Sequence, residues 1–489
     1  MAAPSQPGPR CWQCRRSHLR RRCEGPRDNS FSRTRGAPRG PPLTTPLPGT
    51  EVARGRARAG ALLSEDPRGG GRPKNDHERL HRSCRPSFLP ITDPADHRSR
   101  RVHTRRRTTV LAASLVLALG AVPLAAPAFA SPAPAQTSVS AKGTKTGPDT
   151  AALETALKNL PDKDGTFALV RVGGTDGGWR GSAGAHDLAS GRAADPDARF
   201  RAGSTTKVVT AAVVLQLAAQ GAVNLNAPVQ RYLPGLFPRT FEPITVRQLL
   251  NHTSGIQPGD GLGDTFEEVY AHRFDTLPPR KVVASAMAKG PEFRPGREQH
   301  YLNINYTVLG LLIEKVTGHS YASEATRRVL RPAGMRDTYF PGTDPAIHGP
   351  HNRGYQAVKR ADGSTEFLDV TEWNQADRWA AGDMISTTAD LERLVHHLFR
   401  GDLVPRPQLK EMFTVPSRIK GATMSAGLQR FAFEGRVYWL KSGARYGYGT
   451  VVAATRDLSR TLVVSVGATD AKSEGMNPVT ERIARAALK

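Results

Sequence analysis

Cysteine is scarce and confined to one end: the chain has four in 489 residues, Cys11, Cys14, Cys23 and Cys84, and none follows. No disulfide can therefore support anything beyond residue 84, and a zinc site started by Cys11-x-x-Cys14 lacks an ordered second pair. Acidic residues are also few, 44 against 69 Lys plus Arg, for a net charge of +25. That deficit is local. Residues 1–107 hold 25 basic and 9 acidic residues, or +16 of the +25, which leaves +9 for everything else. The high charge is thus not a basic face on a folded domain, and no nucleic-acid partner is expected. One hydrolase signature is missing as well. There is no Gly-x-Ser-x-Gly elbow, which argues against an α/β-hydrolase. No internal repeat is visible.

What is present divides the chain into four. Residues 1–100 are rich in Arg, Pro and Gly without periodic apolar positions, so a disordered basic leader is expected there. A basic run, Arg101 to Arg107, precedes an uncharged apolar stretch from Thr108 to Ala126 and then Ala128-Phe129-Ala130 before Ser131. This is the order of a secretory signal. Residues 101–130 are expected to be a signal peptide or, because 108–130 is long enough to span a bilayer, a signal anchor. Its position predicts that translation starts near Val102 and that the leader is not made. Either way the domain is expected outside the cytoplasm, secreted or held to a membrane only by an uncleaved signal. Residues 131–147 read as a flexible spacer rich in Pro, Ala, Ser, Thr and Lys, and 148–489 as one catalytic domain.

Within that domain, a helix is expected over Ala151–Leu160 and strands over 165–172 and 179–187. Residues 226–403 read as mainly helices and loops. Strand signals return over Tyr438–Thr455 and Thr461–Val466, and a helix closes the chain at Val479–Leu488. The fold class expected is α+β: an antiparallel sheet built from the N- and C-terminal segments and flanked by helices, with an inserted, mostly helical lobe.

The chemistry centres on Ser204-Thr205-Thr206-Lys207 and the apolar run behind it. Residues three apart share a helix face, so the Lys207 amine can reach the Ser204 hydroxyl. A serine needs a base to become a nucleophile, and a lysine buried among apolar side chains can have its pKa lowered enough to serve. A second Ser-x-x-Lys, Ser417 to Lys420, has no apolar helix behind it and reads as accidental. Tyr301-Leu302-Asn303 offers a phenol that, between cations, could ionise near neutral pH, and an amide able to donate and accept. Lys441-Ser442-Gly443 places a cation, a hydroxyl and a glycine together on a strand, suited to a substrate carboxylate. Lys145-Thr146-Gly147 falls in the spacer and is set aside.

In this order the three motifs resemble those of the penicillin-recognising serine hydrolases, β-lactamase-related proteins. The likeness is nearest to secreted D-alanyl-D-alanine carboxypeptidases and class C β-lactamases, and it runs over nearly all of residues 150–489. It implies that Ser204 attacks a carbonyl, Lys207 takes its proton and Tyr301 serves the leaving group. Asn303, Lys441, Ser442, Gly443 and Ala444 would bind substrate, with the N–H groups of Ser204 and Ala444 as an oxyanion hole. No metal or organic cofactor is implied. The implied activity is D-alanyl-D-alanine carboxypeptidase on cell-wall peptides by a monomer, with peptidoglycan as partner. A β-lactamase, an esterase and a penicillin-binding sensor that does not turn over remain open. His252 is left out, as part of a structural turn in similar proteins. Three positions depart from the family pattern: Lys441 stands where the nearest carboxypeptidases carry His, Gln429 follows Gly427-Leu428 where they carry Arg, and Trp379 is offset before Ala381-Gly382. The lysine is expected to stay cationic well above neutral pH. Arg430 and Arg445 are the alternative holders of a carboxylate.

Overall fold

The computed structural model describes residues 147–489. The expected leader, signal segment and spacer up to residue 146 lie outside the described residues. In chain order come α1 (Thr150–Leu157), β1 (Gly165–Gly173), β2 (Trp179–Gly184), β3 (Phe200–Arg201), α2 (Thr206–Ala219), α3 (Val246–Leu250), α4 (Phe266–Ala271) and α5 (Pro279–Ala288). There follow α6 (Asn303–Thr317), α7 (Tyr321–Ala325), β4 (Tyr355–Lys359), β5 (Thr365–Asp369), β6 (Ile385–Ser386), α8 (Thr388–Arg400), α9 (Arg406–Leu409), β7 (Gln429–Phe433), β8 (Arg436–Arg445), β9 (Tyr448–Thr455), β10 (Thr461–Ala468) and α10 (Pro478–Ala487). Among the described residues no helix is long and apolar enough to cross a membrane.

The main sheet is antiparallel, with order β2-β1-β10-β9-β8-β7, so both chain ends build it as expected. Its central strands are apolar on both faces. Alternation sends Phe167 and Leu169 of β1 into the core shared with α2 and α8, while Ala168, Val170 and Val172 pack under α1 and α10. The two terminal helices are fixed at their starts. Asp149 accepts from the Ala152 N–H at 2.9 Å, and Asn477 accepts from Val479 and Thr480 ahead of Pro478, satisfying donors that a helix start leaves without partners.

Four strand readings are corrected. Tyr438–Thr455 is two strands, because Arg445 pairs with Tyr448 across Tyr446-Gly447 and Gly447 takes φ 78°, a turn conformation that glycine adopts without strain. β7 was not expected, nor was the hairpin β4–β5 inside the helical region, whose loop contains Asp362-Gly363. β2 ends at Gly184, three residues early.

One consequence of the register positions the site. β7 pairs with β8 only as far as Gln429 opposite Leu440. Among the described residues no strand lies beside the outer edge of β8 from Lys441 to Arg445, and the turn that starts α2 packs there: a Cβ placed on Gly443 would lie 2.0 Å from Ala202 O and 3.0 Å from Ser204 N.

Candidate active site

Ser204 sits in a 3-10 turn, Gly203–Thr205, that leads directly into α2. Gly203 has φ 53°, and a side chain there would meet Ala444 N at 2.6 Å. The two glycines, one on each side, let the backbone of the turn and of β8 approach so closely that the Ser204 and Ala444 amides are neighbours. Such paired N–H groups can receive a developing oxyanion.

α2 is buried over almost its whole surface, from Thr206 through Leu215 and again at Leu217. Lys207 is carried into that interior. Its Nζ contacts Ser204 Oγ at 3.0 Å, Asn303 Oδ1 at 2.7 Å and Ala381 O at 2.6 Å. Desolvation, with the Lys441 and Arg378 charges adding to it, holds the amine well below the usual lysine pKa. A neutral amine has two N–H donors and one lone pair. Two of its three neighbours are carbonyl oxygens, which only accept, so both hydrogens are taken there and the lone pair faces the Ser204 hydroxyl. The geometry is that of a base poised on a nucleophile.

The Ala381 carbonyl was not foreseen, and its placement is built by α2 itself. Thr210 Oγ1 donates to Ala380 O at 2.6 Å, the Met384 N–H donates to Thr206 Oγ1 at 3.1 Å, and the Ala202 N–H donates to Met384 O at 2.9 Å. Ala380 takes φ 54° in this segment, a conformation nothing in the sequence announces.

Asn303 opens α6, and Tyr301 precedes it in extended chain, so the two face the same amine from one loop. The Tyr301 ring lies with Lys207 Nζ 5.1 Å and Lys441 Nζ 4.7 Å from its centroid. The expectation of an easily ionised phenol is corrected. Burial pushes its pKa up, with only a hydrogen-bonding influence of Ser204 opposing it. Tyr301 therefore rests as a proton donor. His252, set aside on sequence, supports it from beneath. His252 is buried at φ 61°, and its imidazole lies tilted 4.6 Å from the Tyr301 ring and stacked 5.2 Å from that of Tyr306. Its Nδ1 accepts from the Leu302 N–H at 3.3 Å, and burial, reinforced by Lys207, keeps it neutral. It positions the tyrosine loop and does not reach the serine as a base.

On β8, Lys441 is buried and its Nζ folds back to donate to Ser442 O at 2.7 Å. Desolvation brings its pKa down to about 7. The expectation of a permanent cation is corrected: the strand interior, unlike a solvated edge, does not stabilise the charge. Arg445 is not a free holder of a carboxylate either. Arg445 is buried in a forked pair with Asp377, at 3.1 and 3.3 Å, and Arg430 is an exposed residue of β7. Burial raises the Asp377 pKa, but Arg445 and Arg378 outweigh it and keep the carboxylate ionised. Arg378 was missed. Its stem and the Ser204 amide flank Gly382, where a Cβ would lie 3.3 Å from Arg378 Cβ and 3.8 Å from Ser204 N, and its side chain is partly exposed. Trp379 turns away from the site onto Tyr321 and Gly310. Gly427, at φ 81°, packs against Ala211 of α2.

The sheet with its inserted helical lobe, and a serine whose base is a buried lysine, define a serine hydrolase of the β-lactamase fold. The β-lactamase family profile matches residues 153–488, and the chain belongs to that family. Protein flp of Staphylococcus aureus (strain MW2) is 33% identical over 223 residues, 45% of this chain and 41% of its own length, so the chain spans about two fifths of that relative. Penicillin-binding protein 4* of Bacillus subtilis (strain 168) is 27% identical over 331 residues, 64% of this chain and 70% of that protein. Among solved structures, a D-stereospecific amidohydrolase from Streptomyces sp. superposes with a TM-score of 0.61 at 32% identity, covering 70% of this chain and 98% of that one.

Proposed function

We propose that the protein is an acyl-enzyme serine peptidase cutting an amide bond next to a D-configured residue, with D-alanyl-D-alanine carboxypeptidase as the leading case. The observation that carries the reading is the contact of Lys207 Nζ with Ser204 Oγ at 3.0 Å, beside two carbonyl oxygens able to hold both hydrogens of a neutral amine. Ser204 Oγ attacks the substrate carbonyl as Lys207 takes its proton. The oxyanion is received by the Ser204 and Ala444 amides. Tyr301, protonated because buried, donates to the leaving amine, and water releases the acyl group. Asn303 orients Lys207 and the substrate amide, and Lys441, Ser442 and Gly443 form the strand edge along which the substrate lies. The site needs no metal or organic cofactor for these steps.

A second reading has its own support. Lys441 is turned onto its own strand, with a pKa brought down to about 7, so a strong carboxylate anchor is not preformed, and one solved structure covered along 98% of its length is a D-stereospecific amidohydrolase. A D-amino-acid amide, with no terminal carboxylate, suits that edge. If the substrate is carboxylate-terminated, Arg378, partly exposed and 3.3 Å from Asp377 Oδ2, is a second cation beside the nucleophile. Export to the cell surface and action on peptidoglycan remain proposals that rest on the signal-like segment. The test is turnover by the purified domain of a D-Ala-D-Ala peptide, its L,L isomer, a D-phenylalanine amide, a short-chain ester and a cephalosporin. Preference for a D-configured amide or peptide supports the reading, and turnover of the cephalosporin or ester alone refutes it.

A further inference from the structure

Away from the nucleophile, where α8 ends and α9 begins, four cations surround one depression. Arg400, Arg406, Lys410 and Arg456, together with Phe399, Phe413 and Thr414, line a space of about 430 Å³, and no carboxylate stands in its wall. The acids nearby in sequence are all engaged elsewhere. Glu411 takes the guanidinium of Arg247 at 2.7 and 2.9 Å, Asp402 bonds His397 Nδ1 at 3.0 Å, and Asp457 accepts from the Ser459 N–H at 3.0 Å. Among the described residues, Arg400, Arg406 and Lys410 have exposed side chains and no ion pair.

The fold accounts for one of the four. Arg456 Nη1 donates to Phe399 O at 2.8 Å, closing the last turn of α8, and its guanidinium lies 4.3 Å from the Phe413 ring centroid. A helix C-terminus favours cations, and this one is served by Arg456. The other three add repulsion without a partner, and Arg456 already has its pKa lowered, by burial first and then by Arg406. Three unpaired cations converging on a half-buried aromatic ring form a site for a ligand with more than one negative charge and an apolar flank.

We propose that this depression binds an organic phosphate monoester. Such a group carries nearly two charges at neutral pH and three acceptor oxygens, which match two guanidinium forks and one ammonium. Its organic part lies on Phe413.

The test is calorimetric titration of the Ser204→Ala protein with phenyl phosphate, inorganic phosphate and phenol, repeated with the added substitutions Arg400→Gln, Arg406→Gln and Lys410→Gln, which are exposed and leave Arg456 in place. The expected result is saturable binding of phenyl phosphate, tighter than inorganic phosphate, and at least about tenfold weaker after the three substitutions, as loss of charge-assisted bonds requires. Phenol should not bind. In the protein with Ser204 restored, the same three substitutions should leave turnover of the preferred substrate unchanged. Undiminished binding by the substituted protein, equal binding of phenol, or no saturable binding by the unsubstituted protein in the millimolar range would overturn the proposal.

Discussion

Lys207 donates to Asn303 Oδ1 at 2.7 Å across 96 residues of chain. The amide holds one amine hydrogen while the Ala381 carbonyl holds the other, so the base is set before any substrate arrives. Replacing Lys207 with Ala should leave the fold in place and slow acylation of Ser204 by about 10² to 10⁴, the usual worth of a positioned base. Stopped-flow acylation by a chromogenic substrate measures this, and an unchanged rate would mean that another group takes the proton.

Tyr301 should matter by leaving group. Because burial keeps its phenol protonated, Tyr301→Phe should cut kcat on an amide by about 10² or more, and do far less to an activated ester whose leaving group needs no proton. Equal losses on both substrates would assign Tyr301 to positioning.

For Lys441 the sign follows from a pKa lowered to about 7. Below that pH the amine is charged and can hold a carboxylate; above it the charge is lost. The ratio of kcat/KM for a carboxylate-terminated D-peptide to that for its neutral amide should therefore fall as pH rises through about 7. The drop should be about ten- to a hundredfold if the charge-assisted bond is worth roughly 1.5 to 3 kcal/mol. A flat ratio would transfer the carboxylate from Lys441 to Arg378, beside Gly382.

Gly443→Ala tests the close approach of strand and turn. A methyl group there would lie 2.0 Å from Ala202 O, so the turn bearing Ser204 must move. Thermal unfolding should report a loss of about 1 to 3 kcal/mol, as overpacking usually costs, and acylation should fall with it.

Much of this was readable before the fold. Ser204, Lys207, Tyr301, Asn303 and the β8 residues converge on one point because each motif lies next to a legible element: an all-apolar helix, a helix start, a strand. The sheet from the two termini followed from where the β-branched runs lie. What escaped depended on backbone conformation and burial. The Ala381 carbonyl follows a left-handed Ala380, His252 lies against Tyr301 at a positive φ of its own, and the lowered pKa of Lys441 comes from burial among neighbours distant in sequence. The Tyr446-Gly447 turn did carry a signal in its glycine, as did Asp362-Gly363.

The central claim is that Ser204, and not the similar Ser417, is the acylated nucleophile. Incubating the purified domain with a fluorescent penicillin or an activated D-amino-acid ester, followed by intact mass and peptide mapping, tests it directly. One acyl adduct on the peptide containing Ser204, absent in Ser204→Ala and retained in Ser417→Ala, is the expected result. An adduct that survives Ser204→Ala at the original rate would contradict it.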